Sequence, residues 1–183
     1  MKYDLAMLIK AVRYSADNHR FQRRKGKEAS PYISHSLEVA DLLASTGGIT
    51  DVPILVAAIL HDTVEDTRTT FEEVEALFGE EVRAIVEELT DDKTLPKAER
   101  KRLQIEHAPQ LSSSAKPVKI ADKICNIRDV AHDPPADWPL QRRREYLKWA
   151  ERVVAGCRGS NPPLEQRFDE VLRDAWSKLS NEG

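Results

Sequence analysis

The sequence feature that most constrains the fold is an unbroken apolar segment, residues 54–60, that ends directly in His61-Asp62. A run this dense is typical of a buried element. It therefore carries an imidazole and a carboxylate toward the interior, and Glu65 and Asp66 follow close behind. Burying such groups is costly unless they are paired or bind a metal. This predicts a polar or metal-binding cluster, and the alternative is a helix that turns polar where it reaches the surface.

Composition indicates an ordinary globular chain and excludes several classes of protein. The 183 residues are 40% hydrophobic and 32% charged, enough for one domain with a substantial core. The net charge of -3 argues against a general nucleic-acid binder. We find no signal peptide and no apolar run long enough to span a membrane. Cys125 and Cys157 form no disulfide framework, so we interpret both as reduced thiols in a cytoplasmic protein.

Helical periodicity runs through the whole chain. Helix-start signals include Ser30-Pro31, Asp51 before Pro53, and the capping box formed by Thr70 and Glu73. No strand-length alternation appears. We predict a single all-α domain over residues 1–183, built from about eight to ten helices. The predicted helices span residues 4–19, 31–45, 52–61, 70–79, 80–89, 97–107, 115–132, 138–158 and 162 onward.

Four polar residues stand out against the apolar faces of three of these helices: His35, His61, Asp62 and Asp122. Two imidazoles and two carboxylates, without thiolate, suit Mn²⁺ or another first-row divalent ion better than structural zinc. The bland alternative for a lone core histidine such as His35 is a hydrogen-bonded structural residue. The helix that carries Asp122 also has Lys119, Asn126 and Asp129 in one polar stripe. That stripe is either a solvated face or the lining of a pocket.

The sequence resembles the HD-domain metal hydrolases, and more closely the alarmone hydrolases. These comprise the hydrolase domain of bifunctional (p)ppGpp enzymes and stand-alone small versions that include a metazoan one. The resemblance covers about residues 1–180 and includes an extended string from Ala58 to Thr67. The other matching motifs are Arg24-Lys25, Pro31 to His35, Phe78-Gly79, Val118 to Lys123 with Asn126, and Trp138 through Tyr146 to Trp149.

The resemblance implies a role for each matching position. Its implied ligands for one Mn²⁺ ion are His35, His61, Asp62 and Asp122. Its implied carboxylates beside the attacked phosphorus are Glu65 and Asp66. Its implied substrate contacts are Arg24 and Lys25 in the basic loop, Lys97 at phosphate, Asn126 and Tyr146 at the ribose or base, and Arg142.

We assign Glu65 and Asp66 to proton handling and water positioning, because two more direct ligands would crowd water and substrate from the metal. A continued helical turn after Asp62 would place them beside the ligand pair. The alternative is that they are ordinary acids near the start of the helix capped by Thr70.

The implied reaction is removal of the 3′-pyrophosphate of (p)ppGpp, giving GDP or GTP plus pyrophosphate. Because the chain ends at Gly183, we expect no synthetase activity. Other readings are an NADPH 2′-phosphatase on the same site, a nucleoside 5′-monophosphatase, and a non-enzymatic nucleotide-binding domain. We expect a small nucleotide ligand and neither nucleic acid nor membrane as partner. The sequence leaves the oligomeric state open and is compatible with a monomer.

Overall fold

The computed structural model describes residues 4–182 and confirms the predicted all-α class. In this part of the chain the only β-type pairing is an isolated bridge between Arg23 and Pro31. The α-helices, in chain order, are α1 (Leu5–Asn18), α2 (Ile33–Asp41), α3 (Val52–Leu60), α4 (Thr63–Asp66), α5 (Phe71–Phe78), α6 (Glu80–Leu89), α7 (Lys97–His107), α8 (Ala115–His132), α9 (Leu140–Cys157) and α10 (Pro162–Asn181). A π-helical turn (Leu42–Thr46) follows α2, and a 3₁₀ turn (Ala108–Gln110) follows α7.

Side-chain caps explain where several helices begin. The first backbone N–H groups of a helix have no partner within it, so a preceding Asp, Thr or Asn stabilises the start. The side chain of Asp51 accepts a hydrogen bond from Ile54 N, and Asn161 accepts one from Leu164 N. The predicted capping box of Thr70 and Glu73 is present at α5.

The predicted start of the second helix at Ser30-Pro31 is wrong. α2 begins at Ile33, and Ser30 is not its cap. Instead the carbonyl oxygen of Ser30 accepts a hydrogen bond from Arg24 N at 2.9 Å. Pairing across the basic loop overrides the local capping signal, so this segment closes the loop instead of starting the helix.

α8 is the central helix and packs against α2, α9 and α10. Its buried positions lie around most of its circumference and include Ile120, Ile124 and Ile127. Lys119 and Asp122 are buried too. The polar stripe predicted on this helix is therefore partly inside the protein. No helix in the described chain has the length and hydropathy needed to cross a membrane.

The apolar run forms α3, as predicted, and packs against α1, α2 and α6. α3 ends at Leu60, and α4 is a separate single turn that begins at Thr63. The helix is interrupted at His61-Asp62, and the helical turn predicted after Asp62 is present as α4, where Asp66 N donates to the carbonyl oxygen of Asp62 at 2.8 Å. This interruption places both residues where the end of α3 meets α2 and α8.

Candidate metal centre and adjoining cleft

Four side chains meet where α2, α3 and α8 come together. His35 comes from α2, His61 and Asp62 follow α3, and Asp122 comes from α8. His35 Nε2 lies 3.2 Å from Asp122 Oδ1, and His61 Nε2 lies 3.1 Å from Asp62 Oδ2. The cross distances, His35 Nε2 to Asp62 Oδ2 and His61 Nε2 to Asp122 Oδ1, are both 3.8 Å. Candidate ligand atoms of His35, His61 and Asp62 all lie within 4.8 Å of one another, as a bound metal requires.

The hydrogen bonding of His61 shows that this group suits a cation. His61 Nδ1 lies 2.7 Å from the carbonyl oxygen of Ala58, which can only accept, so Nδ1 carries the hydrogen. The buried Nε2 has no hydrogen-bond donor among the described residues and faces the carboxylates of Asp62 and Asp122. Facing acceptors are stable only with a proton or a metal ion between them. The two-nitrogen, two-oxygen donor set fits a divalent metal.

The electrostatics of the cluster agree with that interpretation. Burial lowers the pKa of His61, but the negative charges of the nearby Asp62 and Asp122 outweigh burial and raise it well above its usual value. Burial raises the pKa of Asp62, but the positive charge of His61 holds it well below its ordinary value. The cluster therefore favours positive charge at its centre, which is the property of a metal site.

A surrounding set of donors orients the carboxylates. The hydroxyl of Tyr32 donates to Asp62 Oδ2, and Asn126 Nδ2 donates to Asp122 Oδ1 at 2.5 Å. Lys123 Nζ donates to Asp122 Oδ2 at 2.9 Å. These roles of Tyr32 and Lys123 were not predicted from the sequence. The one available signal was their spacing, since Tyr32 precedes His35 by three positions and Lys123 adjoins Asp122.

A cleft of about 200 Å³ adjoins the cluster. His35 and Tyr32 form part of its wall on the metal side, and Asn126 of α8 and Tyr146 of α9 contribute further polar groups. Lys25 and Trp138 also line it. The arrangement brings four of the six predicted substrate residues, Arg24, Lys25, Asn126 and Tyr146, to one cavity beside the metal-type cluster.

The other two predicted substrate residues, Lys97 and Arg142, lie over Trp138. Lys97 Nζ is 5.8 Å and Arg142 Cζ is 4.3 Å from the ring centroid. Partial burial lowers the pKa of Lys97, and the nearby charges of Arg142 and Lys25 lower it further. Cations that repel one another in this way create a local attraction for an anion. We refer to Lys25, Lys97 and Arg142 as the basic rim.

Arg24 differs from the basic rim because its charge is already balanced. Its guanidinium donates to Glu38 at 2.7 Å and to Asp129, and only 12% of the side chain is exposed. Arg24 therefore ties the loop before α2 to both α2 and α8. The sequence predicted it as a substrate contact, and the structure gives it these two protein partners.

Glu65 and Asp66 lie on α4 and point toward the loop between α6 and α7. Glu65 Oε2 accepts a hydrogen bond from Asp91 N at 3.1 Å. Lys93 Nζ forms an ion pair with Asp66 and lies 3.5 Å from Glu65 Oε1, and Arg100 Nη1 lies 3.7 Å from the same oxygen. Burial raises the pKa of Glu65, and the charge of Asp62 adds to the increase. Sequence spacing gave no signal for Lys93 or Arg100, which are far along the chain.

Comparisons with known proteins agree on the relationships of this chain. The HD domain family model matches residues 11–149. The guanosine-3′,5′-bis(diphosphate) 3′-pyrophosphohydrolase MESH1 of Xenopus tropicalis is 55% identical over 174 residues, covering 95% of this chain and 97% of that protein. The human protein of the same name is 51% identical over 173 residues, with 94% and 97% covered.

Two further comparisons extend this picture. The GTP pyrophosphokinase rsh of Brucella melitensis is 39% identical over 192 residues, covering 96% of this chain but 24% of that protein. A solved structure of a metazoan ortholog of SpoT, described as hydrolysing ppGpp, superposes with a TM-score of 0.91 at 46% identity. The superposition covers 95% of this chain and 98% of the other.

Proposed function

The chain belongs to the HD domain family and, within it, to the small guanosine-3′,5′-bis(diphosphate) 3′-pyrophosphohydrolases, and from this premise we propose that it hydrolyses (p)ppGpp. The products are GDP or GTP plus pyrophosphate. The structural observation that carries the proposal is the direct contact between a metal-type cluster and a cleft with a basic rim. A nucleotide with phosphates at two positions needs both features.

The metal in this proposal is one Mn²⁺ ion, with His35, His61, Asp62 and Asp122 as its ligands. The bare, buried Nε2 of His61 and the absence of thiolate from the ligand set support this choice. A divalent ion held there supplies Lewis acidity, which polarises a phosphoryl oxygen and lowers the pKa of water. Tyr32, Asn126 and Lys123 orient the carboxylate ligands, a supporting role that commonly affects metal affinity strongly.

The cleft supplies the binding groups for the nucleotide. Lys25, Lys97 and Arg142 offset phosphate charge, while Asn126 and Tyr146 lie close enough to the cluster to contact the ribose or base. Arg24 fixes the loop that carries Lys25, and it borders the cleft. The partly buried ring of Trp138 lines the cleft and offers a surface for stacking beside the cations of the rim.

The chemical step is a displacement at the phosphorus attached to the 3′-oxygen. A water oxygen forms a new bond to that phosphorus, and the bond between phosphorus and the 3′-oxygen breaks. Glu65 or Asp66 takes a proton from the attacking water, and a proton is delivered to the 3′-oxygen, which leaves as a hydroxyl group. Burial raises the pKa of Glu65, which makes this carboxylate a better proton acceptor than an exposed one.

The proposal also covers the cellular compartment, the oligomeric state and a second substrate. The buried, unpaired thiols of Cys125 and Cys157 are compatible with a reducing cytoplasm. All proposed ligand, catalytic and substrate residues come from one chain, so a monomer over residues 1–183 suffices for the reaction. NADPH is the second substrate that the basic rim could accommodate, since its 2′-phosphate carries comparable charge.

A substrate screen tests the function. Purified protein with Mn²⁺ is incubated with ppGpp, pppGpp, NADPH and nucleoside monophosphates, and products are identified by ion-exchange chromatography. We expect ppGpp to give GDP and pyrophosphate in equal amounts, and His61→Ala to give neither. Inorganic phosphate as the first product would contradict the proposed bond cleavage. Turnover of NADPH but not of ppGpp or pppGpp would show that NADPH is the substrate instead.

A further inference from the structure

We propose that Lys93 and Arg100 form the binding site for the pyrophosphate group as it is released. This inference rests on the proposed function and concerns two cations that neither the motifs nor the cleft lining includes. They stand beside the predicted catalytic carboxylates Glu65 and Asp66. Glu65, Asp66, Lys93 and Arg100 are all absent from the wall of that cleft.

The first step of the argument is the position of the two cations. Lys93 contacts both Glu65 and Asp66, and Arg100 approaches Glu65 at 3.7 Å. That last distance exceeds a hydrogen bond, so the guanidinium keeps donors to spare. Arg100 Nε is buried and has no hydrogen-bond partner among the described residues. A buried, unpartnered cationic donor beside the reacting groups indicates a missing acceptor.

The second step is the asymmetry of α7. Residues Lys97, Arg100 and Gln104 occur at helical spacing and turn toward the protein. On the outer face, Arg102 is fully engaged with Glu99 and Glu106. The outward cation is therefore neutralised within its own helix, whereas the inward cations are not.

The third step is that positive charge continues along the inner face of α7, the face that carries Lys97 and Arg100. Lys97 lies over Trp138 at the cleft, and the charge of Arg100 is one of the charges that lower the pKa of Lys97. Positive charge therefore extends from the basic rim to the catalytic carboxylates. A 3′-diphosphate that reacts near the metal-type cluster has its outer phosphate free to extend along this inner face.

The chemistry requires such a site. When the bond to the 3′-oxygen breaks, the released diphosphate carries the hydroxyl oxygen from water, and its remaining negative charge stays close to Glu65 and Asp66. The diphosphate and the two carboxylates repel one another. This repulsion is reduced if Lys93 and Arg100 also bind the phosphate oxygens. The cations therefore hold the carboxylates before the reaction and the product after it.

Calorimetric titration of pyrophosphate and, separately, GDP into the full-length protein with excess Mn²⁺ tests this site. We expect Lys93→Met and Arg100→Met each to weaken pyrophosphate binding about tenfold or more, the scale of a lost charge-assisted hydrogen bond. GDP binding should stay within about twofold, the scatter of such titrations. Arg102→Met is the matched control on the outer face and should change neither. Unchanged pyrophosphate affinity in both variants, or an equal loss for GDP, overturns the proposal.

A double-mutant comparison separates direct binding from simple neutralisation of the carboxylates. Lys93→Met is repeated in the Asp66→Asn background, where the carboxylate charge is gone. A persisting loss of pyrophosphate affinity supports direct contact. If the loss disappears, Lys93 acts only on Asp66 and the assignment fails. Arg100→Lys, which keeps the charge, should recover part of the affinity, and circular dichroism melting verifies that each variant is folded.

The titrations need no turnover, so the two proposals can fail separately. If the wild-type protein binds pyrophosphate through Lys93 and Arg100 but does not release it from ppGpp, the proposed function fails and the site remains. If ppGpp is cleaved to pyrophosphate but both variants bind it normally, the further inference fails alone.

Discussion

Glu65 and Asp66 differ from the four predicted metal ligands in what balances their charge. They pair with Lys93 and Arg100, outside the cluster of candidate ligand atoms. We therefore expect Glu65→Gln and Asp66→Asn to keep near-normal Mn²⁺ content and folding, while kcat falls by about a hundredfold or more, as for a lost acid–base group. Metal analysis and turnover on the same preparations measure both effects.

The control for this prediction is Asp122→Asn, which should lose bound Mn²⁺ together with activity. Loss of metal from the Glu65 or Asp66 variants would place that residue among the direct ligands. Full turnover in both would mean that they are ordinary acids on α4.

Single residues also show what sequence can and cannot predict about this site. His35 shares a largely apolar helical face, His61 ends an apolar run and Asp122 belongs to a polar stripe, and the structure brings the three together. The partners of Arg24 were beyond sequence reasoning, since its ion pair with Asp129 joins positions 105 residues apart. Only tertiary packing decides whether such a cation is paired or free for substrate.

The loop between α1 and α2 is held against the end of α8 with almost no free space. A Cβ atom on Gly26 would lie 1.8 Å from Asp133 Oδ2 and 2.7 Å from the backbone oxygen of Asp133. Lys27 N also donates to Asp133 at 2.8 Å. We expect Gly26→Ala to displace the loop, costing about 1–3 kcal/mol of stability as in overpacked sites. KM should rise several-fold, because Lys25 moves with the loop.

Steady-state kinetics and thermal melting measure the two effects. Gly159→Ala is the control: φ is +87° there and nothing lies within 4 Å of the added Cβ, so it strains the backbone at a residue that does not line the cleft. It should lose stability and keep its KM. An unchanged KM in Gly26→Ala would show that loop position does not control substrate binding.

Helix starts in this protein were predictable where capping is local. Asp51, Thr70 and Asn161 cap the helices that their sequences indicate. Ser30-Pro31 carries the same kind of signal, yet its backbone pairs across the basic loop. The difference is physical, because a side-chain cap contributes about 1 kcal/mol and an alternative backbone pairing can outweigh it.

Across the whole molecule, metal binding and folding should be thermodynamically linked. Ligands from α2, α8 and the end of α3 come together only in the folded chain, so Mn²⁺ binds the native state preferentially. At a hundredfold excess over Kd this adds about 2.7 kcal/mol. For a chain of this size that corresponds to roughly 5–10 °C in Tm.

Differential scanning calorimetry of protein stripped with EDTA and then titrated with Mn²⁺ measures this shift. Asp122→Asn should show little or none of it. A Tm that does not respond to Mn²⁺ in the unmodified protein would remove the proposed ion from this site.

α7 contains no buried residue, unlike α8, α9 and α10. Segments with few buried contacts open locally at a fraction of the global unfolding free energy. We therefore expect amide hydrogens of α7 to exchange with solvent through sub-global opening while the remaining long helices stay protected. Because α7 carries Lys97 and Arg100, each opening also removes two cations from the site at once. Local opening of α7 would then also provide the route by which pyrophosphate leaves the site.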